Sequence, residues 1–188
     1  MIAGREAHHI SRVLRMGRGD TMVLLDGKGG RFLAEIESVS REAIKVQIKK
    51  PLDPVQPSPF EITLCQSVIK SAPMDYLIQK TSELGVARIF PFFSSRSVVR
   101  LEGNKREKKR HRWMEIAHNA AKQCNRDIPA KIGLPTSFDQ QLTDCEKAPG
   151  LKVILWEQET SQDLKGLLEH YGPGIFTGMV GPEGGFTP

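Results

Sequence analysis

At 188 residues, 39% hydrophobic and 26% charged, the chain sits in the ordinary range of folded globular proteins with one or two domains, which excludes a disordered or low-complexity chain. No apolar run is long enough to span a membrane and the first residues lack signal-peptide architecture, so a cytoplasmic protein without a membrane partner is expected. The net charge of +5 is unevenly placed: Arg12, Arg15, Arg18 and Lys28 mark the first segment, and residues 105–112 (KREKKRHR) set seven basic side chains around one glutamate.

Clusters of this kind attract a phosphate backbone because neutralising phosphates releases counterions, although a solvated helix face gives the same pattern. Cys65, Cys124 and Cys145 are scattered without CxxC spacing and read as small core residues. The histidines lack ligand spacing, so no metal site is expected.

Residues 6–16 (EAHHISRVLRM) read as a helix, with Ala7, Ile10, Val13 and Leu14 on one apolar face and Arg12 and Arg15 sharing the opposite one. Gly17 and Gly19 end it. A strand over 21–25, a Gly27-Lys28-Gly29-Gly30 turn and an alternating strand over 31–39 make a β-hairpin; because GKGG joins strand to strand it is a turn rather than a phosphate loop. Ile44, Val46 and Ile48 alternate again, so residues 1–50 form a small, mostly antiparallel β module. Residues 51–59 carry four prolines in nine positions, which suits neither a helix nor an inner strand, and form a linker.

From residue 60 the rhythm changes to strands alternating with helices, the pattern of a parallel sheet covered on both faces. A strand over 61–68 leads to a helix that opens at Ser71-Ala72-Pro73, turns Met74, Leu77, Ile78, Thr81 and Leu84 inward and stops at Gly85. The strand over 88–93 contains Pro91, which makes it a poor central strand or marks its end. A long helix over 105–124 follows, with Trp113, Ile116, Ala117, Ala120 and Cys124 at helical spacing, and 129–134 reads as a short strand. KVILW (152–156) is a strand, Thr160-Ser161-Gln162-Asp163 has a capping-box pattern opening a helix over 163–171, and 175–180 is the closing strand.

That last strand empties into Gly181-Pro182-Glu183-Gly184-Gly185, and ligands in open α/β sheets bind beyond the carboxyl ends of the strands. Glycines let backbone groups approach a ligand and proline stiffens the turn. The turn is neither a Walker loop nor GxGxxG, which removes the main support for nucleoside-triphosphate and dinucleotide readings.

Four ordered stretches carry a resemblance: HHISRVLRMGRGD (8–20), IQKTSELGV (78–86) with SSRSV (94–98), AAKQCNRDIP (120–129) and GPEGGFT (181–187). Across nearly its whole length the chain resembles the small-subunit (16S) ribosomal RNA uridine N3-methyltransferases, a branch of the SPOUT superfamily. The resemblance implies an α/β fold class: a SPOUT-type, trefoil-knotted methyltransferase domain over 60–188 behind a PUA-like β-barrel RNA-binding domain over 1–50. It implies S-adenosylmethionine as cofactor, ribosomal RNA or the small ribosomal subunit as partner, and a homodimer with active sites at the subunit interface. It also implies a third cofactor loop of pattern LGxRILRxETA after the present sequence and an extra strand before residue 6, so that 60–188 is expected to be truncated at its carboxyl end. Asn125 stands where the family has glycine, and asparagine tolerates left-handed backbone angles better than most residues.

Carried over by residue, the resemblance assigns cofactor binding to Trp156, Glu157, Gly181, Pro182, Glu183, Gly184 and Gly185, and a place near the target base or its phosphate to Arg126 and Arg96, the catalytic candidates. Lys80 and Glu83, on the polar face of their helix, are RNA-binding candidates that also fit a plain i, i+3 ion pair. Arg12 and Arg15 are candidates for RNA phosphates. No side chain stands out as the base. The α/β rhythm alone also fits a nucleotide-dependent oxidoreductase or kinase, and the basic clusters alone fit a non-catalytic RNA-binding module.

Overall fold

The computed structural model describes residues 1–56, 58–97 and 103–186. Pro57 of the expected linker, Val98 of the SSRSV stretch and residues 187–188 of the closing stretch lie outside the described residues. Two compact units are present, Met1–Gln56 and Pro57–Pro188.

In the first unit β1 (Ile2–Ala3), β2 (Thr21–Leu25), β3 (Arg31–Val39) and β4 (Ala43–Leu52) form an antiparallel sheet of order β1-β4-β3-β2. Register shifts in the β3–β4 pairing at Leu33/Ala34 and Ile36/Ser38 curl it into a half-barrel. The turn between β2 and β3 is built by Asp26, whose carboxylate accepts from the N–H groups of Lys28 at 2.7 Å and Gly30 at 2.8 Å. Those two bonds, Lys28 first, hold its pKa below the usual value. A Cβ on Gly30 would strike that carboxylate, so GKGG is a hairpin turn shaped by one aspartate. α1 (Gly4–His8) runs on into a π-helical turn, His9–Val13, and seals the core of Ala7, Ile10, Ile36 and Ile44.

That π turn corrects the reading of residues 6–16. Its wider hydrogen-bond ring rotates the later residues out of phase with a 3.6-residue helix, so Ala7 and Ile10 are buried while Val13 and Leu14 are exposed. Arg15 lies past the helix with a φ of 55°, and Arg12 and Arg15 therefore do not share a helical face. The presumed linker also begins later: Pro51 and Leu52 belong to β4, opposite Phe32 and Arg31 of β3.

In the second unit a wholly parallel sheet has the order β7-β6-β5-β10-β9, from β5 (Phe60–Ser67), β6 (Arg88–Phe93), β7 (Lys131–Ile132), β9 (Leu151–Leu155) and β10 (Gly174–Val180); β8 (Thr136–Ser137) also pairs with β6. α2 (Ser71–Leu84) and α3 (Asn104–Gln123) cover one face around Met74, Ile78, Ile89, Trp113 and Ala117. α4 (Phe138–Lys147) covers the other, where Cys65, Phe92, Cys145 and Met179 meet. α5 (Leu164–Tyr171) links β9 to β10. α2 and α3 run side by side in the same direction, Lys109 reaching Ser71 and Arg112 reaching Asp75. Both start at the carboxyl edge of the sheet.

Several expectations change. β6 is an inner strand despite Pro91: the Ile89 carbonyl accepts from Gly133 and the Phe92 carbonyl from Val68. By strand alternation Pro91 faces the β7–β8 side, in the gap between those two short strands, where an N–H has no ladder partner to lose. α2 buries Met74, Ile78 and Ser82 at i, i+4 spacing and leaves Leu84 80% exposed, because the helix ends at Gly85 (φ 96°) beyond the sheet. Cys124 is exposed rather than in the core, since α3 has left the sheet by then. α4 lies outside the expected elements: its inward face sets Phe138 and Cys145 beside the buried, polar Gln141, which masks the apolar spacing, and Ser137 caps it by accepting from the Gln140 N–H. α5 is capped by Asp163, not Thr160.

Candidate functional site

β10 ends at Val180 and the chain reverses over residues 181–185. The Gly185 N–H donates to the Pro182 carbonyl at 2.9 Å, which puts Glu183 and Gly184 at the corners of a turn. Gly185 has a φ of 66°, and a Cβ there would run into the carboxylate of Glu157. The 181–185 turn and the loop after β9 are therefore in direct contact, and the left-handed φ favours glycine at their junction.

Two side chains hold the turn's carbonyls from behind. Gln66, 2% exposed near the end of β5, donates Nε2 to Gly181 O at 3.1 Å and to Ser67 O at 3.0 Å. Arg96 donates Nη1 to Gly184 O at 2.6 Å, and the Lys70 N–H reaches Glu183 Oε1 at 3.4 Å. Arg96 is presented by a serine cluster in which Ser67 Oγ lies 3.2 Å from Ser94 Oγ and 3.0 Å from Ser97 Oγ, and the Ser94 N–H donates to Ser97 Oγ at 2.9 Å. The cluster ties the loop after β6 to the end of β5. The sequence reading missed Gln66 and Ser67; their signal was two polar residues interrupting an apolar strand at its carboxyl end.

On the other side, the Glu159 N–H donates to Trp156 O at 3.1 Å. Glu159 Oε1 then accepts from Ser161 Oγ and the Ser161 N–H, both at 2.6 Å, and from the Gln162 N–H at 3.2 Å, which holds its carboxyl below the usual range, the Ser161 hydroxyl contributing most. Asp163 next caps α5 by accepting from the Gly166 N–H at 2.7 Å. Between this loop and the 181–185 turn lies a cleft of ≈ 960 Å³ at the carboxyl ends of β9 and β10. Ile154, Leu155, Trp156 and Leu164 line it and remain partly open to solvent. An apolar wall opposite a rim of backbone polar groups suits a flat heteroaromatic ligand with a polar tail.

The structure thus gathers Trp156, Glu157, Arg96 and residues 181–185 at one edge. It places Arg126, Lys80 and Glu83 at the other. Arg126 Nε donates to Glu83 O at 3.0 Å and its guanidinium covers Gly85, at the end of α2 that faces the amino edge of the sheet. The preceding Asn125 takes a left-handed φ of 52°. Fourteen helical residues separate that end from Ser71 at the cleft edge, about 20 Å. Lys80 and Glu83 pair at 2.7 Å, with Gln79 also donating to Glu83. That pairing lowers the Glu83 pKa and raises that of Lys80. Arg12 and Arg15 are exposed in the first unit. Among the described residues there is no cluster of three metal-ligating side chains, and no helix long and apolar enough to cross a membrane.

Residues 56–188 match the family model described as RNA methyltransferase domain, and residues 2–49 match the RNA methyltransferase PUA domain. The chain is 30% identical over 194 residues to the ribosomal RNA small subunit methyltransferase E of Bacillus subtilis, covering 99% of this chain and 74% of that one. Against the Buchnera aphidicola (Acyrthosiphon pisum) protein of the same name it is 34% identical over 134 residues, 71% of this chain and 53% of the relative. The crystal structure of a ribosomal RNA small subunit methyltransferase E from Neisseria gonorrhoeae bound to S-adenosyl methionine superposes with a TM-score of 0.85 at 29% identity, covering 99% of this chain and 75% of the other. A Legionella pneumophila methyltransferase, solved with its bound cofactor, gives 0.84 at 32% identity, with 96% and 73% covered. The fold is thus that of the SPOUT methyltransferases behind a PUA-like half-barrel. The chain belongs to the ribosomal RNA small subunit methyltransferase E family.

Proposed function

We propose that this chain transfers a methyl group from S-adenosylmethionine to N3 of a uridine in small-subunit ribosomal RNA. The observation that carries the reading is the cleft between the loop after β9 and the 181–185 turn, whose wall of Ile154, Leu155 and Trp156 and whose glycine rim suit an adenosine with a charged amino-acid tail. Bound there, the cofactor supplies an electrophilic sulfonium methyl. The chain's own residues do the rest. Gln66 and Arg96 keep the turn in place, Trp156 and Leu155 offer an apolar wall that a bound ligand would cover, and Glu157 lies against the turn at Gly185.

Uridine N3 carries a proton and must release it to solvent water before the nitrogen attacks the sulfonium methyl, so negative charge develops on the imide oxygens. Arg96 is the cation held at the cleft edge and the best placed to stabilise it. Arg126 lies the length of α2 away in its own chain, so a role at the same base requires that it come from the partner copy of a homodimer. That homodimer, an RNA role for Lys80, Glu83, Arg12 and Arg15, and a cytoplasmic location are parts of the same proposal. Primer extension on ribosomal RNA tests it, because N3 methylation blocks the pairing edge and stops the polymerase. The stop is expected to vanish in cells lacking the gene and to return with the wild-type gene but not with Arg96→Ala. A stop that persists without the gene refutes the reading, and RNA binding without methylation points to a non-catalytic module.

A further inference from the structure

We infer that the amino-terminal overhang of α3, bearing Lys105 and Lys108, is a phosphate-tracking strip that guides single-stranded ribosomal RNA into the cleft; the inference rests on the methylation reading. Lys109 Nζ bonds Ser71 Oγ at 2.7 Å, which sets the sixth residue of α3 beside the first of α2. Residues 104–108 therefore project beyond α2, about 7 Å past its start, on the side of the sheet where the 181–185 turn lies. Three elements deliver cations to this edge: α3, the residue before α2 (Lys70, whose N–H meets Glu183) and the loop after β6 (Arg96, which holds Gly184).

The packing separates guiding cations from structural ones. Arg110 is taken up by the Ile132 carbonyl at 3.1 Å and by Glu107, and Arg112 is partly taken up by Asp75 at 2.6 Å. Arg106 lies over the Phe93 ring, 5.3 Å from its centre, at the end of β6. Lys105 and Lys108 are exposed on the overhang, three residues apart and so on one face. Trp113 and Ala117 of α3 pack with Met74 and Ile78 of α2 and set the course of the helix, and Lys109 adds a bond to Ser71 near its start. Exposed ammonium groups on a flexible stem read phosphate charge and not base identity, so the strip adds affinity and register while the cleft selects the base.

The test compares the wild-type chain with Lys105→Gln/Lys108→Gln and Lys105→Arg/Lys108→Arg, using a small-subunit ribosomal RNA transcript as probe. Binding is measured by fluorescence anisotropy at several salt concentrations, alongside S-adenosylmethionine affinity and methylation kinetics. The glutamine pair is expected to raise the RNA Kd and KM about tenfold and to flatten the log–log salt slope by about 1.4. Cofactor affinity and kcat at saturating RNA stay unchanged, and the arginine pair behaves as wild type. Unchanged Kd, KM and slope in the glutamine pair overturn the inference while wild-type methylation keeps the reading of function standing. A wild-type chain that binds RNA through these lysines but transfers no methyl overturns that reading instead and leaves the strip in place.

Discussion

Ser82 is buried on the inner face of α2, and its hydroxyl finds no hydrogen-bond partner among the described residues. A desolvated, unpaired hydroxyl is unfavourable, and alanine is also the better helix former. Ser82→Ala is therefore expected to stabilise the chain by about 1 kcal/mol, seen as a rise of roughly 2–4 °C in a thermal melt; a fall would mean the hydroxyl has a partner. Gly185 has the opposite constraint, since its φ of 66° strains any residue with a Cβ and that Cβ would displace the Glu157 carboxylate from the turn. Gly185→Ala should weaken S-adenosylmethionine binding about tenfold by calorimetric titration, the equivalent of about 1.4 kcal/mol, with the far-UV spectrum unchanged. Undiminished affinity would remove the turn from the site. The glycines of this turn were legible from sequence because a strand running into GPEGG has few other uses. The bonds from Gln66 and Arg96 were not, because they join residues 115 and 88 positions apart, and no local pattern reports such a pairing.

At the scale of elements, alternating β–α punctuation, the Gly85 stop and the hairpin at Gly27-Lys28-Gly29-Gly30 are readable because each depends on a few neighbouring residues, while the part Asp26 plays in that turn is not. α4 and the π turn escaped because a buried glutamine hides one period and an extra residue per turn shifts the other. The loop between β9 and α5 carries a pH-sensitive bond network beside the cleft. Its centre, Glu159, has a folded-state pKa held below the ordinary glutamate value by Ser161 and Gln162. A depressed carboxylate stabilises the fold above its unfolded pKa, about 4.3, and loses that contribution as pH falls through the lower folded value. Cofactor affinity is thus expected to hold from neutrality down to that range and to fall below it. Glu159→Gln should make the acid-side fall shallower; an unaltered profile would place the sensitive group elsewhere. At the far end of α2, Arg126 joins two helix termini through Glu83 O. Arg126→Ala is expected to cost about 1 kcal/mol of stability. If it also abolishes methylation, mixing it with Arg96→Ala should restore part of the activity only where two copies share a site.

Across the whole molecule, the two units have separate cores, Ala7, Ile10, Ile36 and Ile44 in the first and the Trp113 cluster in the second. Both tryptophans, Trp113 and Trp156, belong to the second unit, so tryptophan fluorescence reports that unit while far-UV circular dichroism reports both. Ile36 is completely buried, and truncating such a residue to alanine costs about 2–5 kcal/mol. If the connector between the units transmits no folding cooperativity, Ile36→Ala lowers the first unit's midpoint in urea and leaves the fluorescence midpoint where it was. The circular dichroism curve then splits into two steps. Should both probes shift together, the units unfold as one body, and a lesion in the half-barrel would reach the cleft of the second unit through stability alone. The outcome therefore decides how any loss of methylation in a first-unit variant is to be read, including Arg12→Ala and Arg15→Ala: as lost RNA contact when the fluorescence midpoint is unmoved, and as lost folding when it is not.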